Sequence, residues 1–311
     1  MTASLRSTDH TDPTRFHDAV FDWFAHNARE LPWRDDASAW AVMVSEFMLQ
    51  QTPVARVLPV FAVWMERWPT PAALAGDPPG EAVRAWGRLG YPRRALRLHA
   101  AAVAIVSEHG GEVPSDHDAL LALPGVGSYT AAAIASFAFG QRHVVLDTNV
   151  RRVFARVCDG IAFPGLSVTA AERLSALHLL PGESEASRWG AGTMELGAIV
   201  CTARSPRCEE CPVQDLCRWR ALGYPAYDGP KRPTQTYDGT DRQCRGRILQ
   251  LLRDASGPVG KHAIDLVWDK ADQRERAFDG LVADGLVERV GESDFALPRL
   301  IPPPPLTSPT R

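Results

Sequence analysis

The sequence predicts a mainly α-helical protein that ends in a small winged-helix-like module. Three observations carry this. Apolar residues recur at helical spacing through the first 220 residues. No βαβ alternation and no internal repeat interrupts them, so this part reads as all-α. After Cys217 the composition shifts to Gly, Pro and Tyr, and a second, shorter helical pattern follows, closed by two strand-like runs.

Taken in order, Phe16, Val20, Trp23 and Phe24 form the first helical stripe, ahead of the loop ELPWRDD. A second helix starts near Ala39 and carries Trp40, Met43, Val44, Phe47 and Met48. Alanine-rich helices are predicted around 95–107 and 129–139, and Val150, Val153, Phe154 and Val157 make a further stripe. Clusters such as GDPPG punctuate these segments. Residues 225–240 read as a linker. Helical patterning resumes at RGRILQLLRD, and ERAFDGLVADGLVERVGESDFALP reads as a helix followed by two short strands around GESD, giving a winged-helix-like module over 241–298. The tail, 299–311, with its run IPPPPLTSPTR, reads as disordered.

A chain of 311 residues suffices for two domains, and 45% apolar with 23% charged residues is ordinary for a soluble globular protein. No apolar run reaches membrane-spanning length, and the opening MTASLRSTDHTDPTR has no apolar core of a signal peptide. These point to a cytoplasmic protein, where disulfides are disfavoured and clustered cysteines indicate metal. The net charge of −3 gives no general support for a nucleic-acid partner. Locally, Arg84, Arg88, Arg93, Arg94 and Arg97 form a run with no acid inside it; a solvated helix face is the usual meaning of such a run, and it permits a phosphate-binding surface without demonstrating one.

Cys201, Cys208, Cys211 and Cys217 are spaced C-x6-C-x2-C-x5-C. Two ligands three positions apart chelate one centre from a tight turn, and the flanking pair can close a four-thiolate cage. Sulfur ligands select zinc or an iron–sulfur cluster, and spacing alone leaves that choice open.

Leu123-Pro124-Gly125-Val126-Gly127 is a glycine hairpin entering a helix at Ser128. Glycines expose backbone N–H groups and a helix N-terminus adds more, together a sequence-independent seat for a DNA phosphate. A tight helix–helix turn is the bland alternative, of equal weight for the motif in isolation. Glu46, within VMVSEFMLQQ, has Val42 and Leu49 as helical neighbours, so its carboxyl is poorly solvated, which favours the neutral form suited to a general acid. A carboxylate at the edge of a core stripe is the commoner meaning of a lone Glu. Asp147, before the stripe at Val150, reads as a helix N-cap whose charge the helix dipole maintains. A neutral acid with a nearby anion is the pairing that cleaves an N-glycosidic bond, the acid protonating the leaving base and the anion stabilising an oxocarbenium-like sugar.

The chain resembles the helix–hairpin–helix DNA glycosylases with a four-iron cluster and, within them, the MutY-type adenine glycosylases. The match covers roughly 14–222. It rests on LPWR at 31–34, SEFMLQQT at 45–52, Arg88-Leu89-Gly90-Tyr91 where the family has GLGY, LPGVGSYTA at 123–131, LDTNVRRV at 146–153, MELGAIVC at 194–201 and the cysteine spacing. The resemblance implies two helical lobes flanking a cleft, one over 39–140 and the other joining 14–38 to 141–222, within a glycosylase domain over 14–224. It implies a [4Fe–4S] cluster on the four cysteines, double-stranded DNA carrying A:8-oxoguanine or A:G mispairs as partner, a monomer, a place with the nucleoid, and adenine flipped into the cleft. By the same resemblance Glu46 is the acid, Asp147 stabilises the sugar cation and Asn149 supports it. Leu31, Trp33, Arg34 and Glu195 shape the adenine pocket, and Gln51 and Tyr91 wedge into the space the base leaves.

Tyr129 stands where the related endonuclease III enzymes carry a lysine that forms a Schiff base. A phenol forms none, so the resemblance implies a hydrolase that leaves an abasic site without cutting the strand. Two positions depart from the pattern. LDTNV has threonine where this branch more often has glycine, and residues 241–298 lack the acidic Nudix signature of the MutT-like domain that usually follows. Two other readings compete: an endonuclease III-like lyase on damaged pyrimidines, disfavoured by Tyr129 and Glu46, and a non-catalytic iron–sulfur DNA-binding regulator, disfavoured by Glu46 together with Asp147.

Overall fold

The computed structural model describes residues 12–34, 36–230 and 237–299. The readings of the N-terminal segment, of Asp35, of 231–236 within the linker and of the tail from residue 300 lie outside these. The chain divides into two compact units, one of 1–42, 115–121 and 126–233, the other of 43–114, 122–125 and 234–311. The helix after the glycine hairpin therefore groups with the first unit, and the C-terminal module with the second.

In the first unit, α1 (Pro13–Asn27) starts at the N-cap Asp12, which accepts from Thr14 N at 3.0 Å, and Pro13 preorganises the first turn. Its Phe16, Val20 and Phe21 are buried, with Phe16 edge-on to Trp189 at 4.9 Å. Trp189 belongs to α11 (Glu183–Ile199), the central helix of this unit. Gly192 lets α1 approach: a Cβ there would meet Val20 at 2.9 Å. Gly197 does the same for α9 (Thr148–Phe154), since its Cβ would lie 2.7 Å from Asn149 Cβ. The chain then makes a π-helical turn, Ala155–Asp159, where the Val157 stripe is expected to continue as α-helix. Around these lie α7 (His117–Ala122), α8 (Ser128–Phe139) and α10 (Ala170–His178), the last opened by a Thr169–Glu172 capping box. The cysteine segment forms two short 3-10 turns, Cys208–Glu210 and Gln214–Leu216, before α12 (Arg218–Ala221).

The second unit begins within α2 (Ala39–Leu49), at Met43, and this helix is buried along nearly its whole length from Trp40 to Met48. It is followed by α3 (Val54–Arg67), α4 (Pro71–Ala75), α5 (Pro79–Trp86) and α6 (Arg93–Glu108). Trp64 is edge-on to Trp68 at 4.6 Å and to Trp86 at 5.6 Å, anchoring α3 and α5 in one core. The C-terminal module runs α13 (Asp241–Asp254), β1 (Val259–Gly260), α14 (Lys261–Asp265), α15 (Ala271–Ala283), β2 (Glu288–Val290) and β3 (Asp294–Ala296). The two strands expected around GESD are β2 and β3. Sequence reasoning missed β1, whose two residues carry no alternation to detect. The sheet is antiparallel in the order β1-β3-β2, with Phe295 opposite both Val259 and Arg289 and packed edge-on against Phe278 at 4.8 Å. Among the described residues no helix is long and apolar enough to cross a membrane.

Candidate active site and metal centre

Asp147 caps α9, as its position before the apolar stripe predicts. Oδ1 accepts from Asn149 N at 2.8 Å and Val150 N at 2.6 Å, and Oδ2 accepts from Asn149 Nδ2 at 2.7 Å. Asn149 Oδ1 accepts in turn from Arg152 Nη2 at 2.8 Å. The same guanidinium donates to Gly197 O at 2.6 Å and Cys201 O at 2.7 Å. An unbroken chain of hydrogen bonds thus runs from the first cysteine through Arg152 and Asn149 to the Asp147 carboxylate, and each link removes a rotamer choice from the next. Burial raises the pKa of Asp147 above the usual aspartate value, while the Val150 and Asn149 hydrogen bonds and the Arg152 charge pull it down without cancelling the rise. The dipole argument from sequence covers only a lowering influence, and burial adds one in the opposite direction.

Glu195 is 1% exposed on α11. Arg29 grips it with Nε at 2.6 Å and Nη2 at 2.8 Å, its backbone N–H adds a bond at 3.1 Å, and Arg34 Nη2 donates at 2.6 Å. Burial would raise the Glu195 pKa, but these hydrogen bonds and charges hold it below the ordinary carboxylate range. The two arginines thereby fix the LPWR segment, where Leu31 and Trp33 are buried, onto α11. Arg29 and Arg152 escaped sequence reasoning. The signal for Arg29 was available: a glutamate inside the apolar run of MELGAIV requires a cation.

Glu46 is 6% exposed in α2, between the buried Ser45 and Phe47. Gln51 and Tyr91 are both exposed, and both have left-handed backbones, at φ 55° and 48°. Non-glycine residues in that region carry strain, which other contacts must sustain. The contact here is Arg94, 5% exposed, whose Nη1 donates to the carbonyls of Phe47, Met48 and Gln50 at 2.7, 3.1 and 2.7 Å. Its Nη2 reaches Thr52 Oγ1 at 3.1 Å and Gly90 O at 3.0 Å. One buried guanidinium therefore ties the Gln51 loop to the Tyr91 loop. Burial drives its pKa down to about 10, which still leaves it charged at neutral pH. The arginine run is accordingly no uniform basic face.

In the glycine hairpin, Gly125 has φ +79°, and a Cβ there would meet Arg97 Cβ at 2.6 Å, so both conformation and space demand glycine. Gly127 caps α8 with no side chain on its first-turn N–H groups and has open space around it. Both glycines are exposed, and Tyr129, in the first turn of α8, is half-buried.

Cys201, Cys208, Cys211 and Cys217 line one cavity of about 390 Å³, its open mouth included, together with Val153, Val157, Leu196, Val200 and Val213. Arg156 Nη1 approaches Cys201 Sγ at 3.3 Å, and Arg156 is itself fixed by Ala162 O at 3.0 Å and Thr202 O at 2.8 Å. Burial, with a contribution from the other three cysteines, pushes the Cys211 thiol up to about 12, and burial raises Cys217 as well. Thiols raised in this way, Cys211 and Cys217, ionise where a cationic centre neutralises them. The donor set and the cradle fit an iron–sulfur cluster.

Residues 44–164 match the HhH-GPD superfamily base excision DNA repair protein family, and 201–217 match the iron–sulfur binding domain of endonuclease III. The adenine DNA glycosylase of Mycobacterium tuberculosis is 50% identical over 93% of this chain and 95% of its own length. That of Mycolicibacterium smegmatis is 52% identical over 89% and 94%. Among solved structures, a thermostable thymine-DNA glycosylase superposes with a TM-score of 0.62 at 27% identity, over 68% of this chain and 97% of its own. A helical glycosylase fold, a four-cysteine cradle for a [4Fe–4S] cluster and half-identity along nearly the full length of two curated relatives together establish that the chain belongs to the adenine DNA glycosylases, DNA N-glycosylase hydrolases of base excision repair.

Proposed function

We propose that the protein is a monofunctional enzyme that hydrolyses the N-glycosidic bond of adenine mispaired with 8-oxoguanine or guanine in duplex DNA. It acts as a monomer, with residues 14–224 as the glycosylase domain. The observation that carries the chemistry is the Asp147 carboxylate, clamped by three donors and backed by Asn149 and Arg152. An anion held this rigidly needs no reorganisation when positive charge develops on the sugar.

Glu46 supplies the proton. Its position inside an apolar helix keeps water away from the acid, and protonation makes the adenine ring a competent leaving group. Asp147, ionised, faces the oxocarbenium-like sugar, which water then captures. Tyr129 offers no amine, so the reaction ends at an abasic site with the strand intact. Leu31, Trp33, Arg34 and Glu195 shape the adenine pocket. Gln51 and Tyr91, exposed and already in strained backbone, fill the gap left by the extruded base. Gly125, Gly127 and the uncapped start of α8 seat a phosphate. The four cysteines hold the [4Fe–4S] cluster. It serves as a staple for the loop after α11, and because hydrolysis transfers no electrons no step requires it to change oxidation state.

The test is base release under single-turnover conditions from A:8-oxoguanine, A:G, A:T and oxidised-pyrimidine duplexes. Release confined to adenine opposite the two purines is expected. Release of the oxidised pyrimidine with strand scission would refute the assignment.

A further inference from the structure

We propose that the C-terminal winged-helix-like module is a brace that positions the Tyr91 loop, and not a reader of duplex DNA. This rests on the reading of Tyr91 as a wedge. The loop of residues 87–92 joins α5 to α6 and turns at Gly87, Gly90 and Tyr91, with φ of 53°, 85° and 48°. Tyr91 projects from it 54% exposed. A strained loop with an exposed aromatic keeps its shape only if its two stems are fixed.

The module fixes both stems. At the start of α5, Gly80 N donates to Pro298 O at 2.7 Å, and a Cβ on Gly80 would lie 2.5 Å from that oxygen and 2.9 Å from Leu297 Cβ. Later in α5, Arg84 Nη1 donates at the C-terminal end of α13, to the carbonyl of Arg253 and to that of the C-cap Ala255, the latter at 3.2 Å. Arg253 returns the contact, with Nε on Val83 O at 3.0 Å. Two arginines thus each satisfy the open carbonyl end of the other's helix. On the far stem, Arg93, two residues beyond Tyr91, pairs with Asp284 Oδ1 at 3.1 Å, while Arg245 holds the other oxygen.

One of these contacts also engages the module's own basic stretch. Of RQCRGR, Arg245 is on Asp284, while the exposed Arg242 and Arg247 lie over Tyr237 and Trp268 at 5.3 and 5.0 Å. In a winged helix, the third helix and the hairpin are the parts that enter a groove. Here the exposed charges on α15, its leading turn and the β2–β3 hairpin are Asp269, Asp272, Asp279, Glu292 and Asp294 against Lys270, Arg276 and Arg289. That balance repels a phosphate backbone.

Full-length Gly80→Ala and Asp284→Ala test this, the first by steric displacement and the second by releasing Arg93. Hydrogen exchange at residues 87–92 should quicken in both by about fivefold, the worth of one net hydrogen bond. Unstacking of a 2-aminopurine beside the target adenine should fall by a similar factor. In a Tyr91→Ala background neither variant should reduce unstacking further, whereas a merely structural defect would add to that of Tyr91→Ala. The salt dependence of duplex binding should keep the wild-type slope. Unchanged exchange at 87–92, additivity with Tyr91→Ala, or a shallower salt slope would overturn the proposal. If Tyr91→Ala alone left unstacking intact, the wedge reading would fail, and the exchange data would still report whether the module braces the loop.

Discussion

Arg152→Ala should shift the acid side of the pH–rate profile to higher pH. In the wild type the guanidinium orients Asn149 at 2.8 Å and its charge opposes the burial that raises the Asp147 pKa. In the proposed mechanism Asp147 acts as an anion, so activity should be complete above its folded pKa and lost as pH falls through it. Removing Arg152 deletes one of the influences that lower that pKa and loosens the Asn149 hydrogen bond that supplies another. The acid limb therefore moves further up, and activity near neutrality falls with it. The stability effect follows from the contacts. Arg152 makes close hydrogen bonds to Asn149, Gly197 and Cys201 from a site only 8% exposed. Charge-assisted bonds contribute about 1.5–3 kcal/mol each, and water entering the vacated space recovers part, so a net loss of roughly 3 kcal/mol is expected. Single-turnover excision from pH 5 to 9, beside a denaturant titration, measures both. An acid limb that stays in place in a folded Arg152→Ala variant would refute the electrostatic linkage, whatever happened to the rate.

Glu46→Gln should retain duplex binding and lose adenine release by about 10²–10⁴-fold, the usual worth of a general acid; a near-normal single-turnover rate would remove Glu46 from the mechanism. Borohydride should trap little wild-type enzyme on DNA, and Tyr129→Lys should trap more, because it introduces an amine capable of a Schiff base. Anaerobically purified protein should be brown, with iron and sulfide in equal amounts, and Cys211→Ser should lower both; a colourless protein with one zinc would contradict the cluster. Glu195→Gln should cost roughly 3–5 kcal/mol by leaving Arg29 and Arg34 without their carboxylate. Because the folded Glu195 pKa is depressed, its contribution is present above the unfolded carboxylate pKa and lost as pH falls through the folded one, so the variant should lose part of the wild type's acid-induced destabilisation.

The legible parts of the sequence were those where a residue's role is fixed by its neighbours in the chain. The Asp147 cap needs only Asn149 and Val150, two and three positions on. The helices at 39, 93 and 128 announce themselves by period, and Gly125 by the turn it must make. The four cysteines were readable as one site because three gaps of a few residues cannot separate them far. What stayed hidden was the upward pull of burial on the Asp147 pKa, because burial is a property of everything that packs over a residue and only the dipole is local. The π-helical turn at Ala155–Asp159 was equally hidden, since its apolar stripe fits an α-helix as well.

The arginines make the sharpest case. Arg94 sits in a run that reads as a solvated basic face, and Arg152 carried no reading of its own, yet both are buried, and their main partners are backbone carbonyls drawn from several segments. A carboxylate partner leaves a trace in sequence, as Glu195 did for Arg29, because an acid in an apolar run demands a cation. A carbonyl leaves none, since every residue has one. Yet carbonyl ends are where a guanidinium is most useful to this fold. It donates several hydrogen bonds in fixed directions and so can hold two loops at once, as Arg94 holds those of Gln51 and Tyr91. The residues proposed to touch DNA are recognisable by kind, whereas those that would aim them are recognisable only by partner. The second group is therefore where substitutions in this protein should impair function without touching substrate, and Arg94→Lys is its strictest member. Lysine keeps the charge but cannot span both sets of carbonyls, so Gln51 and Tyr91 should lose their common anchor while Asp147 keeps its own. Excision opposite 8-oxoguanine should then fall through weaker base extrusion, seen as reduced 2-aminopurine unstacking, with the pH–rate profile unmoved. A displaced profile with normal unstacking would place Arg94 in the chemistry instead.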